Sequence, residues 1–228
     1  MKFRASLICL ALLLAFSAGA IAKVIQVLDG TPVVIRGESI AILEDPSGQL
    51  TLNEVLAKQN KFVRFTGEVP NLQYSNAAFW LRINLLNGTQ DSLLALEASN
   101  TQLDTLDVHI LGLNGTKSYR FGDVYPFSKR LFDHQHFIVP FEAKLGENLT
   151  IFLRVRGLEQ MSIPLLVGPR KQILTNNYKT DLFAGLYFGI MLVMFFYNLF
   201  LYISIRDKAY LFYIVYIAGI AMAQASLQ

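Results

Sequence analysis

The chain has 228 residues, of which 53% are hydrophobic and 16% charged, with a formal net charge of +3. This excludes a disordered chain, which needs low hydrophobicity and high net charge. Counted by segment, Lys2 and Arg4 carry +2, Arg206, Asp207 and Lys208 together carry +1, and residues 23–181 hold 16 basic and 16 acidic side chains. The basic excess flanks apolar runs around a neutral middle segment without a basic patch, which excludes nucleic-acid binding.

Met1-Lys2-Phe3-Arg4, the apolar stretch 5–16 and the small residues Ser17-Ala18-Gly19-Ala20-Ile21-Ala22 have the layout of a secretory signal peptide over 1–22, with cleavage after Ala20 or Ala22. Cys9, the only cysteine, lies inside it. The exported part therefore has no disulfide and must be held by its core, which favours a bacterial source. Asn-x-Thr sequons at Asn87, Asn114 and Asn148 pull weakly the other way, and two of them are Asn-Gly pairs that read as turns.

Residues 23–175 read as an exported sensor domain of short strands: 33–36, 40–43, 62–66, 79–86, 93–98, 103–111, 137–141, 149–155 and 163–167, all rich in branched or aromatic residues. A short helix is expected over 52–59. Alternation puts Phe79, Leu81, Ile83 and Leu85 on one face, as it does Leu106, Val108 and Ile110, then Phe137, Val139 and Phe141, then Leu149, Ile151, Leu153 and Val155. The fold class is mainly β: an exported, jelly-roll-like antiparallel β-sandwich followed by transmembrane α-helices.

The uncharged run 182–205 would span roughly 36 Å as a helix at 1.5 Å per residue, enough to cross a bilayer. A transmembrane helix is expected over 180–205, a loop over 206–208 and a second helix over 209–228. The basic loop belongs in the cytoplasm, which puts residues 23–181 in the periplasm at the bacterial inner membrane. The second apolar run reaches Gln228 without flanking charges, so a fragment of a longer membrane protein is expected.

Two blocks carry a family resemblance. Gly189-Ile190, Tyr197-Asn198-Leu199-Phe200-Leu201-Tyr202-Ile203-Ser204-Ile205-Arg206-Asp207 and Tyr210-Leu211-Phe212-Tyr213 resemble the first two helices of the bacterial seven-transmembrane receptors with diverse intracellular signalling modules. Phe79-Trp80-Leu81-Arg82, Asn87, Pro126-Phe127-Ser128-Lys129-Arg130, His134, Phe137 and Ile151-Phe152-Leu153-Arg154-Val155 resemble that family's type 2 extracellular domain. Gln73-Tyr74 departs from a Gly-Tyr turn. The resemblance implies a jelly roll that senses a carbohydrate-like ligand outside the membrane. It also implies a cytoplasmic output module, such as a diguanylate cyclase, histidine kinase or phosphatase, which this chain does not contain.

Alternation places Trp80 and Arg82 opposite Phe79 and Leu81, where an aromatic plane beside a guanidinium suits sugar stacking and hydrogen bonding. Arg130, His134 and Arg154 complete the candidate ligand-binding set. The opposing reading has a loop or helix covering Trp80 and the arginines pairing with Asp104, Asp107 or Asp133. His134 and His136 share one side of an extended strand, and with His109 and Asp133 a metal site is imaginable. The spacing is equally that of a solvated strand, and neither a metal nor a cofactor is expected. No nucleophile or phosphate-loop motif is present and no catalytic residue is assigned. In the membrane, Gly185 and Gly189 form Gly-x-x-x-Gly, a site for close helix packing or homodimerisation. Asn198 is expected to hydrogen-bond to a neighbouring helix. The partners expected are the lipid bilayer, a small-molecule or glycan ligand, and a second copy or another receptor. The alternatives are a periplasmic protein-interaction module and a tethered hydrolase.

Overall fold

The computed structural model describes residues 22–72, 75–100, 103–157 and 161–226. The signal peptide, apart from Ala22, and Gln73-Tyr74 lie outside the described residues. The chain divides into one unit ending at Ile173 and a second starting at Leu174.

The first unit is a two-sheet antiparallel sandwich. In chain order its described strands are β1 (Ile25–Val27), β2 (Val33–Ile35), β3 (Ile40–Asp45), β4 (Val63–Arg64), β5 (Ala78–Asn87), β6 (Leu93–Ala98), β7 (Thr105–Gly112), β8 (Gly115–Phe121), β9 (Phe137–Glu142), β10 (Asn148–Arg156) and β11 (Leu165–Pro169), with helix α1 (Leu52–Ala57) between β3 and β4. The larger sheet has the order β4-β3-β5-β10-β7-β8, and β1 adds to β5 in parallel. The smaller sheet has the order β2-β11-β6-β9. Each of the nine expected strands has a counterpart. β1 and β8 are additions, and 62–66 is reduced to the two residues of β4.

Period-two alternation builds the core directly. Phe79, Leu81, Ile83 and Leu85 of β5 and Leu149, Ile151, Leu153 and Val155 of β10 meet Leu94, Leu96, Phe137, Val139, Phe141, Leu165 and Val167 from the opposite sheet. Burying each such side chain contributes about 1.5–3 kcal/mol, and with no cysteine among the described residues this layer holds the sandwich together. Gly122, at φ +141°, fits where a Cβ would lie 2.1 Å from the Asp104 carbonyl oxygen, so the chain leaving β8 can pass this close only at a glycine.

A second, smaller core lies on the outer face of the larger sheet, where Ala41, Leu43, Trp80 and Phe152 pack with Val55 of α1 and with Phe62. Helix α1 starts with a capping box: Thr51 Oγ1 accepts from the Glu54 amide, and Glu54 Oε2 accepts from the Thr51 amide at 2.7 Å. The turn that delivers it is organised by Asp45. Its Oδ1 accepts from the Ser47 and Gly48 amides, both at 3.1 Å, and from Ser47 Oγ at 2.5 Å, while its Oδ2 accepts from the Leu50 amide at 2.9 Å.

The second unit is the remainder of helix α2 (Arg170–Ile205) followed by α3 (Lys208–Ser226). Helix α2 begins at Arg170, well before the expected Thr180, because Pro169 at the strand end needs no amide partner and residues 170–179 contain no helix breaker. Arg206, at φ 58°, closes α2, and Asp207 Oδ1 caps α3 by accepting from the Ala209 amide at 2.9 Å. Both helices are long and apolar enough to cross a membrane, and most of their side chains are exposed.

A Cβ at Gly185 or Gly189 would meet no heavy atom within 4 Å, and Gly189 lines an apolar cavity of about 440 Å³ between the two helices. Asn198 donates from Nδ2 to the Met194 carbonyl of its own helix at 2.8 Å, since a carbonyl one turn back lies within reach of the short amide.

Burial alone would push the Asp45 carboxyl up, but its four hydrogen bonds outweigh this and hold it below its ordinary 3.8. The stability it supplies is present above pH 3.8 and lost as the pH falls through the lowered folded-state value. Thermal melts should show the midpoint of the first unit falling in that acid window. Asp45→Asn should lose about 1–3 kcal/mol at neutral pH and show a smaller further acid loss. An unchanged acid loss in the variant would remove Asp45 as the cause.

Candidate functional site

Strand register assembles the outer face of the larger sheet into rows of facing side chains. One row runs Leu43, Trp80, Arg154, Asp107, Arg120, and the next runs Ala41, Arg82, Phe152, His109, Ser118. The third continues through Asn84, Thr150, Leu111 and Thr116. Three residues expected to act together, Trp80, Arg82 and Arg154, therefore do share one face, but in different roles.

Trp80 is only 1% exposed, because α1 and Phe62 close over it. It offers no plane to a sugar, which corrects the stacking role expected from alternation. Its Nε1 has no hydrogen-bond partner among the described residues, and the His109 ring stacks on the indole at 5.7 Å with 16° between the planes. His109 Nδ1 lies 2.8 Å from Ser118 Oγ. Desolvation pushes the His109 pKa down; Asp107 opposes this, and Arg120 and Arg154 add to it.

Arg154 is tied into structure. Its Nη1 lies 3.4 Å from Asp107 Oδ2 and its Nη2 donates to the Gly48 carbonyl at 2.6 Å, while Arg120 Nε takes the other Asp107 oxygen at 2.7 Å. Gly48 itself sits at φ +62° in the Asp45 turn, so Arg154 fastens the sheet to the start of the α1 segment.

Arg130 and His134 lie away from this face, beside the smaller sheet. Arg130 donates to the carbonyls of His134 and Gln135, and its guanidinium stands over the rings of Phe127 and Phe137 at 4.6 and 4.7 Å. His134 Nδ1 accepts from the His136 amide at 3.0 Å, and His136 Nδ1 is 2.6 Å from Glu97 Oε1. Arg130 and His134 fold the loop ahead of β9, and His136 joins it to β6 through Glu97. Among the described residues no group of three or more His, Cys, Asp or Glu is placed to hold a metal ion.

A position among the described residues that can receive a ligand is a cavity of about 270 Å³ beside Arg82, lined by Leu56, Gln59, Asn84, Leu111, Thr150 and Phe152. The Arg82 Cζ stands 5.0 Å from the Phe62 ring centroid, and burial partly desolvates the guanidinium and pushes its pKa down. Thr150 Oγ1 donates to Asn84 Oδ1 at 3.3 Å, leaving the Asn84 amide N–H groups as donors. Apolar walls with a few polar groups and one cation describe a small-molecule site. Asn84 could have been read from its two-residue offset from Arg82. Thr150, Leu111 and Gln59 needed the register and the position of α1.

Residues 37–168 match the family described as 7TMR-DISM extracellular 2, and residues 180–228 match 7TM diverse intracellular signalling. The chain belongs to the 7TMR-DISM family. Its matched regions are those of a membrane signalling receptor's sensing part rather than of a catalytic domain. No curated protein matches the chain. Among solved structures, carbohydrate-binding modules of the β-sandwich superfamily, described as promiscuous in specificity, align at 7% identity and TM-score 0.25 over 60% of this chain and 54% of theirs. The enzymatically active domain of tailspike protein 4 from bacteriophage CBA120 aligns at 10% identity and TM-score 0.24 over 60% of this chain and 18% of that one. The 7TMR-DISM chain thus spans about half the length of the first neighbour and less than a fifth of the second.

As the only tryptophan, Trp80 reports this face by fluorescence. The contribution of the neutral His109 stack is fully present above pH 6.5 and erodes as the pH falls towards the lowered folded-state value. Emission should hold steady through 6.5 and be quenched only further into acid, when the imidazolium forms against the indole. His109→Phe should abolish the step. A wild-type step at or above 6.5 would contradict the buried neutral stack.

Proposed function

We propose that this chain is the sensing part of a 7TMR-DISM receptor at the bacterial inner membrane, with the sandwich in the periplasm binding a small molecule or carbohydrate in the Arg82 cavity. Binding biases the packing of the membrane helices and passes the signal to a cytoplasmic output module. The observation that carries the reading is the cavity itself. It is the place on the outer sheet face where apolar walls, amide and hydroxyl groups and a fixed guanidinium converge. The strand-to-helix junction supports the relay, since β11 ends at Pro169 and α2 begins at Arg170.

A glycan array probed with the full chain in lipid nanodiscs tests the site. Asn84→Leu, which fills the cavity with an apolar side chain, should weaken capture at least tenfold, about 1.4 kcal/mol, whereas Arg130→Gln should leave it unchanged if the protein stays folded. Capture that survives cavity filling would place the ligand elsewhere.

A second reading, docking of a partner protein, draws support from the loop between β8 and β9, where Val124, Phe127 and Leu131 are exposed. Crosslinking through this loop to a second copy or an envelope protein, lost on Phe127→Ser, would favour it over a small ligand.

Export by the segment 1–22 has a sharper form as well. Ala22 is buried in the small core with Trp80 and Val55, so it belongs to the folded domain and cleavage is expected after Ala20. N-terminal sequencing of the mature protein should begin at Ile21; a start at Lys23 would show that the domain folds without Ala22.

A further inference from the structure

We propose that the end of the sandwich from which the chain departs into α2 is a lipid-contacting surface, with Leu113 and Leu145, at two turn tips, entering the headgroup region of the bilayer. This goes beyond the proposed function and uses none of the residues that line the Arg82 cavity.

Strand register defines this end. Leu86 near the end of β5 pairs with Asn148 at the start of β10, and Leu111 near the end of β7 pairs with Thr150, so the β7–β8 turn at Leu113-Asn114 falls here. In the smaller sheet, Glu142 at the end of β9 pairs with Leu93 at the start of β6, and Leu94 pairs with Pro169 at the end of β11. The turn 143–147 carries the chain from β9 to β10, and its Gly146 amide donates to the Asn87 carbonyl at 2.7 Å, so both sheets share this end. The chain leaves the sandwich at the same end, through Pro169-Arg170. Leu182, the first residue of the uncharged run, lies nine residues beyond Ile173, about 14 Å along a helix, so the chain itself limits how far this end can stand from the bilayer.

What this end exposes is apolar. Five leucines of the first unit are exposed among the described residues, and four of them, Leu28, Leu93, Leu113 and Leu145, stand in or beside its turns. Leu113 is 80% and Leu145 56% exposed, at tips where a water-facing turn would carry polar residues. A buried carboxylate fixes both tips. Glu147 Oε1 accepts from the Leu113 amide at 3.0 Å and Oε2 from the Lys144 amide at 2.9 Å. The leucine side chains take no part in this clamp, so the tips are ordered before they meet lipid and need no rearrangement to enter it. Near them Lys117 and Lys144 are matched by Glu142 and Glu147, so the attraction is apolar and does not depend on anionic lipid. The exposed Val124 belongs to the opposite end, because β8 finishes at Phe121 beside Leu106 near the start of β7.

The test uses the full chain in nanodiscs of neutral lipid. In a Cys9→Ser background, which removes the only cysteine, Leu113→Cys, Leu145→Cys and Val124→Cys each carry the fluorophore NBD. The clamp is made by backbone amides and survives these substitutions, and Trp80 emission before labelling checks the fold. NBD at 113 and 145 should emit at shorter wavelength than at 124 and lose most of its emission when the lipids carry a nitroxide near the top of the acyl chain. The label at 124 should keep its emission. Emission at 113 and 145 that matches 124 overturns the proposal. Blue-shifted emission left unquenched by the nitroxide lipids would show that protein, such as a second copy, covers the tips, and overturns it too. Leu113→Asp placed alongside the label at 145 should weaken the quenching there; unchanged quenching would mean that the label and not the leucine pair seeks lipid, which is a third way for the proposal to fail.

Discussion

Strand β5 is packed on both faces over only part of its length, and the position of the candidate site follows from that constraint. Its inner face is sealed throughout by the opposite sheet. On the outer face, α1 and Phe62 close over Trp80, and at Arg82 and Asn84 the side chains become half-buried. Where the helix cover ends, the sheet surface is neither solvent-exposed nor packed, and the cavity lies at that margin, with Leu56 and Gln59 on one side and strand side chains on the other. Anything that repositions α1 changes the cavity. The hydrogen bonds to Asp45 and the capping box at Thr51, remote in sequence from Arg82, therefore act on ligand recognition through geometry.

The arginines of this face show why residue type alone does not assign a role. Arg154 and Arg82 lie in adjacent rows, and both are shielded from water. Arg154 meets a carboxylate and a carbonyl of the fold, so its charge is compensated by the protein and it works as a strut. Arg82 faces an aromatic ring and a cavity. Arg130 is a third case, holding its own loop through two carbonyls.

Much of the fold was legible because alternation and core coincide. The inward faces of β5, β7, β9 and β10 are the residues that period two selects. The missed strands show where that signal fails. Strand β8 is the edge of the larger sheet and carries Thr116, Lys117, Ser118 and Arg120 into solvent, so it has little apolar alternation to detect. Strand β1 is three residues long and is defined by its parallel partner. The site was legible only in part. Alternation separated Trp80 and Arg82 from the inner core, but it could not tell a covered outer face from an open one, because the cover comes from the helix Leu52–Ala57, well upstream of Trp80. Arg130 and His134 were grouped with that face by residue chemistry, and the loop before β9 carries them to the other sheet.

The membrane helices follow a different logic, because bilayer lipid offers no hydrophobic reward for burying apolar side chains between them. Asn198 satisfies one amide donor on the Met194 carbonyl of its own helix. Gly185 and Gly189 have open space where a Cβ would stand, and the apolar cavity between α2 and α3 is bordered by Gly189, Ala218 and Ala221, small residues that leave the helix backbones accessible. Residues 180–228 match the family described as 7TM diverse intracellular signalling. The small-residue surfaces of α2 and α3 are sterically suited to the close approach of a neighbouring helix.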